Sequence, residues 1–241
     1  MIISHKYKYL FVELPRTGST AISRELRQYY DGSPILHKHA TYNDFLKSAS
    51  PEEKKYFVFA GIRNPLDDAV SLYFKLETGH HKIWIDSSKK KQKRRLVDHV
   101  RFNMFRFIKD NRADFPTYFR KYYKISYNNW SDLSHQDFDF LIRFENLQSD
   151  FADALRLIGI EPVRPLPVVN KTDKPGGDYL SYYTPDIIPR AKRVFGPYMK
   201  QWGYRFPPEW GETSIPWWSQ MEFDFFNLFR RVYWRYLRSF I

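Results

Sequence analysis

The stretch "ELPRTGSTAISREL", from Glu13 to Leu26, decides the fold because it joins a strand pattern to a helix pattern through a tight turn. The preceding "YKYLFV" (Tyr7 to Val12) is rich in aromatic and branched residues and is short enough for a buried strand. After the turn, "AISRELRQYY" places Ile22 and Leu26 at helical spacing and contains neither proline nor glycine. The first backbone N–H groups of such a helix have no intrahelical partners and point into the turn. The stretch therefore predicts an anion-binding site.

The pattern around this stretch alternates strands with helices. "YFVFAGI" (Tyr56 to Ile62) predicts a second buried strand, and "DFDFLIRFENL" (Asp137 to Leu147) predicts a third. Pro65 begins a helical pattern after the second strand, and Gly159 can end the helix that follows the third. The alternation predicts the α/β class, with a mainly parallel central sheet flanked by helices on both faces. In such folds ligands bind at the carboxyl ends of the strands.

Length and composition limit the possibilities further. The 241 residues suffice for a single domain with a large core, which we place at residues 1–206, and residues 207–241 form an aromatic and basic helical extension. Lys6 and Lys8 interrupt any apolar signal-peptide core, so we expect a cytoplasmic protein. The absence of cysteine excludes disulfides and thiolate chemistry.

The chain is strongly basic, with a formal net charge of +12. Such a charge attracts nucleic acid, anionic membranes, acidic polysaccharides or multiply phosphorylated small molecules. The densest basic run is "SSKKKQKRR" (Ser87 to Arg95), which could bind an acidic glycan or form a solvated helix face. The C-terminal "MEFDFFNLFRRVYWRYLRSFI" mixes aromatic residues with arginines. This pattern fits either a helix at an anionic membrane surface or an aromatic helix packed on the domain or on a dimer partner.

The turn itself is not a Walker A loop, because Gly18 is its only glycine and no lysine follows it. A turn of the form P-[KR]-[ST]-G-[ST]-[ST] directly after a strand resembles instead the sulfotransferases that use 3′-phosphoadenosine 5′-phosphosulfate (PAPS). The resemblance implies that Arg16 reaches the bridging oxygen and the transferring sulfonate. It also implies that the 5′-phosphate is held by backbone and hydroxyl groups of Thr17, Gly18, Ser19 and Thr20.

The 3′-phosphate of PAPS requires a second anion site, and the second strand carries a matching motif. In "FAGIRNPLDDAVSLYF" the strand ends at Arg63, and Ser71 follows eight residues later in the next helix. This arginine-to-serine spacing, with the intervening R-[DN]-P, resembles the 3′-phosphate site of the same family. The resemblance therefore implies that Arg63 and Ser71 bind the 3′-phosphate. A structural alternative is that Arg63 pairs with Asp67.

A third motif, "LHKHATYNDF" (Leu36 to Phe45), lies between the two anion sites. It resembles carbohydrate sulfotransferases, nearest to the heparan sulfate 2-O-sulfotransferase group, in which a histidine here acts as base. The resemblance implies that His39 takes the proton of an acceptor hydroxyl, with His37 as neighbour or substitute, because imidazole titrates near neutral pH. Glu13 is a weaker candidate base, which we expect to pair with Arg16.

The resemblance as a whole implies in-line transfer of a sulfonate from PAPS to a hydroxyl on a carbohydrate or glycolipid. The product is then 3′,5′-adenosine bisphosphate, and no metal is required. The late stretch "NKTDKPGGDYLSYYTPDI" resembles the loop that closes over the nucleotide, which makes Lys171 a cofactor contact. Glu145 is interpreted as structural.

Two other functions stay open at this point. A nucleic-acid-binding protein would account for the charge and the many aromatic residues, but it needs no Arg63-to-Ser71 spacing. We therefore expect no nucleic-acid partner. Another P-loop-like phosphotransferase would need a Walker lysine and a metal-binding aspartate after a strand, and neither is apparent.

Overall fold

The computed structural model describes residues 1–78, 96–129, 138–169, 175, 177–212 and 214–232. The chain folds into two compact units. The first consists of Met1–Asn64, Asn128–Lys171 and Phe225–Ile241, and the second consists of Pro65–Tyr127 and Thr172–Asp224. In the described ranges, no helix combines the length and apolar character needed to cross a bilayer.

The strands are β1 (Ile2–Ser4), β2 (Tyr9–Val12), β3 (Ser33–Pro34), β4 (Phe57–Ile62) and β5 (Phe140–Arg143). The helices are α1 (Ser19–Tyr29), α2 (Tyr42–Ser48), α3 (Pro65–Glu77), α4 (Leu96–Asn111), α5 (Phe115–Tyr122), α6 (Leu147–Leu157), α7 (Ile188–Gln201) and α8 (Trp217–Val232).

The first unit contains a mixed five-stranded sheet in the order β3-β1-β2-β4-β5. β4 pairs in parallel with both β2 and β5, with Leu10 opposite Val58 and Phe59 opposite Phe140. These are the three strands that the sequence predicts, so the α/β class and its strand-turn-helix are confirmed. The short strands β1 and β3 were not predicted, and because β1 pairs antiparallel with β2 and β3, only part of the sheet is parallel.

Alternate residues of β2 face opposite sides of the sheet, because successive side chains of a strand alternate. Tyr9 and Phe11 pack in one apolar cluster with residues of α1 and α6, including Leu26 and Phe151. Leu10 and Val12 pack in a second cluster with residues of α2. Helices therefore cover both faces, as predicted. Each fully buried side chain of this size contributes about 1.5–3 kcal/mol relative to an exposed one.

The second unit is built around aromatic residues from its helices. Residues of α3, α5 and α7 form one cluster, in which the Phe119 ring stacks on Tyr123 with ring centres 4.7 Å apart. The hydroxyl of Tyr183 donates to the carbonyl of Leu66 at 2.9 Å, and burial raises the pKa of Tyr183 well above its usual value. Ring packing therefore contributes to the stability of the unit, and the buried hydroxyl of Tyr183 is satisfied by a main-chain carbonyl.

Candidate active site

The turn between β2 and α1 contains two residues with left-handed backbone. Arg16 has a φ of 66°, and Gly18, which caps α1, has a φ of 77°. A side chain costs roughly 1–2 kcal/mol in this conformation, which explains the glycine. A Cβ at Gly18 would also lie 2.9 Å from a methyl group of Leu147, so a larger residue would displace that side chain. The backbone N–H groups of Ala21 and Ile22 donate to the carbonyl of Gly18 at 2.9 and 3.3 Å, which begins the helix at this residue.

Thr17 holds the turn closed from within. Its side chain is buried, and its hydroxyl donates to the carbonyl of Leu14 at 3.1 Å. The turn then rests against β4 at Gly61, where an added Cβ would lie 2.8 Å from the carbonyl oxygen of Thr17. Gly61 therefore allows the turn to approach the strand directly, which sequence reasoning did not predict.

Arg63, at the end of β4, is connected to the same turn. One terminal guanidinium nitrogen donates to the carbonyl of Arg16 at 3.2 Å, and the guanidinium carbon lies 4.1 Å from the ring centre of Phe144. The side chain is only 8% exposed, so its donors are held in place. Glu145 accepts a hydrogen bond from the backbone N–H of Asn64 at 2.7 Å, a structural contact that fixes the chain after Arg63.

The histidine motif is attached to the turn by two contacts. Nδ1 of His39 lies 2.8 Å from the carbonyl oxygen of Glu13, and Nζ of Lys38 donates to the hydroxyl of Thr20 at 3.0 Å. Because a carbonyl oxygen only accepts, the contact of His39 requires the proton on Nδ1. Nε2 of the neutral ring is then left with a lone pair, which is the state that a general base needs.

The segment that carries these residues is fixed by α2, which follows it. Thr41 and Asp44 form a reciprocal capping box at the start of this helix, and the backbone N–H of Ala40 donates to the carbonyl of His37 at 3.0 Å. A capping interaction of this kind stabilises a helix start by about 1 kcal/mol. The aspartate of the sequence motif therefore has a structural task here, which is to hold the loop.

The side chain of Glu13 contacts Ser23 and Met1. Its carboxylate is buried and accepts a hydrogen bond from the hydroxyl of Ser23, and its second oxygen lies 3.0 Å from the amino group of Met1. The expected pair with Arg16 stays a prediction. The main-chain carbonyl of Glu13 contributes to the site through His39.

The remaining predicted residues have different positions. His37 is exposed, two residues before His39. Ser71 lies on α3 in the second unit and is fully buried. Lys171 lies outside the described residues, as does the basic run Ser87 to Arg95. The assignments of Ser71 and Lys171 to the cofactor stay predictions.

The structure thus brings together Arg16, Arg63, Lys38 and His39 around one turn. Lys38 was missed by sequence reasoning, although it stands between the two histidines of the motif. Three cations and a helix N-terminus suit an anion such as a phosphate. Among the described residues, no group of three or more His, Asp or Glu side chains is placed to hold a metal ion.

Comparison with known proteins identifies one family. Residues 1–178 match the profile of the Sulfotransferase family, which covers the turn, the histidine motif and the β4–α3 segment. No curated protein and no solved structure shows significant similarity to the chain. Since the match spans more than half of the 241 residues, the chain belongs to the sulfotransferase family.

Proposed function

We propose that the protein transfers the sulfonate of PAPS to a hydroxyl group of a carbohydrate or glycolipid acceptor. Membership of the family supports sulfonate transfer in general. The observation that carries the finer proposal is the contact of His39 with the Glu13 carbonyl at 2.8 Å, because it joins a base to the anion-binding turn.

The donor groups of the turn fit the phosphosulfate end of PAPS. The first N–H groups of α1 and the hydroxyls of Ser19 and Thr20 would hold the 5′-phosphate, and Arg16 would meet the sulfonate. The buried carboxylate of Glu13 accepts from Ser23 and lies 3.0 Å from the amino group of Met1, which offsets its negative charge. Arg63 would hold the 3′-phosphate, and the assignment of Ser71 to the same phosphate rests on the sequence motif alone. When bound, PAPS supplies the sulfonate and leaves as 3′,5′-adenosine bisphosphate (PAP).

His39 acts as the base in this proposal. Nε2 accepts the proton of the acceptor hydroxyl, while the Glu13 carbonyl keeps the other ring proton on Nδ1. The same carbonyl stabilises the imidazolium that forms, because Nδ1–H donates more strongly when the ring is charged. His37 is the alternative base.

Positive charge near the leaving oxygen makes the second contribution to catalysis, after the base. The bridging oxygen gains negative charge as its bond to sulfur breaks, and Arg16 and the N-terminus of α1 stabilise that charge. Arg63 holds the carbonyl of Arg16 at 3.2 Å, which fixes the backbone that carries this guanidinium. The protein thereby orients its charges before the reaction.

The acceptor class is supported by charge and by the histidine motif. A net charge of +12 favours acceptors that already carry carboxylates or sulfates. The resemblance of "LHKHATYNDF" to carbohydrate sulfotransferases points to sugar hydroxyls. We therefore expect the protein to prefer acidic polysaccharides and acidic glycolipids over neutral alcohols as acceptors.

The test is transfer from radiolabelled PAPS to a panel of desulfated polysaccharides, glycolipids and small alcohols. The wild type should label a sugar acceptor, and His39→Ala should lower the rate by about 10²–10⁴-fold while PAP still binds. His99→Ala, an exposed histidine on α4, is the matched control and should leave the rate unchanged. Labelling by His39→Ala at the wild-type rate would overturn the role of His39. Failure of the wild type to bind or turn over PAPS would overturn the reaction itself.

A further inference from the structure

α8 carries a continuous apolar face that points away from the protein. Seven large side chains on this helix are between 43% and 73% exposed: Trp217, Trp218, Met221, Phe225, Leu228, Phe229 and Val232. With 3.6 residues per turn, all seven fall within an arc of about 120° on the helix surface. Single exposed apolar residues are normal on a protein surface, but a contiguous face of this kind marks a contact surface.

The opposite side of α8 is fixed to the protein. Ser219, Phe223 and Asn227 are buried. The hydroxyl of Ser219 donates to the carbonyl of Arg193 at 2.6 Å, and the side-chain amide of Asn128 donates to Asn227 at 2.7 Å. The side of the helix that carries Ser219, Phe223 and Asn227 therefore packs against the protein, and the exposed apolar face lies on the opposite side.

Positive charge borders this apolar face. The guanidinium of Arg193 lies 5.4 Å from the Trp218 ring centre, and Arg231 is exposed at the other end of the helix. Asp224 is exposed at the edge of the arc, where it accepts from Gln220. The carboxylate of Glu222 accepts from the backbone N–H of Ser126 at 2.7 Å and lies 3.9 Å from the guanidinium of Arg193, so it offsets part of that charge and Arg231 carries the rest.

We propose that the apolar face of α8 binds the surface of an anionic lipid bilayer. Trp, Phe and Leu on one side of a helix, with arginines beside them, are the composition of helices that lie in the membrane interface. The chain's net charge of +12 is complementary to anionic headgroups, so electrostatic attraction brings the protein to the bilayer surface. The apolar face of α8 then inserts at the boundary between headgroups and acyl chains. This inference does not depend on the reaction proposed above.

A second copy of the chain is a poorer occupant for this face. It would bring the same charge of +12 and the same arginines to the contact, which opposes association. An anionic bilayer neutralises those arginines and accommodates the two tryptophans at headgroup depth. The two occupants give different results in one set of measurements.

The experiment is flotation of the full chain with vesicles of phosphatidylcholine alone or of phosphatidylcholine and phosphatidylserine in equal amounts. We expect binding to the mixed vesicles that weakens with salt and is much weaker on phosphatidylcholine alone. The variant Phe225→Gln/Leu228→Gln/Phe229→Gln should lower the partition coefficient by at least about tenfold.

The matched control is Leu157→Gln/Val163→Gln/Val168→Gln, which removes three apolar side chains of similar or greater exposure, all of them outside α8. It should bind the mixed vesicles like the wild type. Equal loss in both variants would overturn the proposal, as would no binding by the wild type. Sedimentation velocity supplies a further decisive outcome, because a concentration-dependent dimer that only the α8 variant abolishes would assign the face to a second copy.

Discussion

The turn at Glu13–Ser19 and the aromatic cluster around α5 are stabilised in different ways. Side chains from three separate segments hold the turn by binding its carbonyls: Thr17 binds Leu14, Arg63 binds Arg16 and His39 binds Glu13. The cluster around α5 is held by rings instead, with Phe119 contacting Tyr123, Phe195 and Tyr183. Hydrogen bonds to fixed carbonyls orient charged groups, whereas ring packing stabilises without orienting them. The difference predicts that stability and ligand binding can be damaged separately.

The largest expected effect on stability comes from the aromatic cluster. Phe119→Ala removes a fully buried ring and should lower the free energy of unfolding by about 3–5 kcal/mol, because it leaves a cavity among rigid rings. Urea denaturation measures this change. The affinity of the folded protein for PAP should stay that of the wild type.

Phe225→Ala is the matched control for that variant. It removes the same side chain from a position that is 58% exposed, and it should change the stability by no more than about 0.5 kcal/mol. If Phe119→Ala also weakened PAP binding strongly at temperatures where it is folded, the two regions would not be separable in the way described.

The second-largest effect is expected from Gly61→Ala, and it should mainly lower the affinity for PAP. Gly61→Ala places a methyl group 2.8 Å from the Thr17 carbonyl, so the turn must move away from β4. Overpacking of this kind costs typically about 1–3 kcal/mol, and the displaced turn should lose its affinity for PAP. Isothermal titration at a temperature where the variant is folded measures the loss.

Ala60→Gly serves as the control on the same strand. It weakens β4 by roughly 0.5–1 kcal/mol without adding an atom near Thr17, and it should retain PAP binding. Retention of full affinity by Gly61→Ala would show that the contact between turn and strand is unimportant for the ligand.

The smallest effect is expected from Lys38. Its Nζ is exposed and donates to the Thr20 hydroxyl at 3.0 Å, so Lys38→Ala should weaken PAP binding by about threefold, with a smaller effect at high salt. Lys54→Ala, an exposed lysine shortly before β4, should leave the affinity unchanged. A loss that persists undiminished at high salt would indicate that Lys38 shapes the loop instead of contributing charge.

The sequence predicted those strands and turns whose signal lies in a short run of neighbouring residues. β2, β4 and β5 follow from buried apolar runs, and the turn follows from Gly18 between a strand and a helix. β1 and β3 could not be predicted, because three- and two-residue strands carry almost no periodic signal and depend on pairing partners.

The site was predictable only in part, for a similar reason. Arg16, Arg63 and His39 stand in recognisable motifs, but the attachment of Lys38 to Thr20 depends on how the loop before α2 returns to the turn. Glu13 shows the same limit, because its carboxylate contacts Ser23 and Met1, which lie about ten residues away in sequence and were not predicted as partners.

The central claim is that the turn and Arg63 together bind a 3′-phosphorylated adenosine nucleotide. Calorimetric titration of PAP into the wild type, Arg63→Ala and Arg27→Ala tests it most directly, with 5′-AMP and ATP as reference ligands. Arg27 is exposed in the last turn of α1 and controls for loss of a surface charge. We predict that the wild type and Arg27→Ala bind PAP at least about tenfold more tightly than 5′-AMP, and that Arg63→Ala loses this preference while still binding 5′-AMP. Equal affinity of the wild type for PAP and 5′-AMP would contradict the claim, and equal loss of both ligands in Arg63→Ala would assign Arg63 to holding the turn alone.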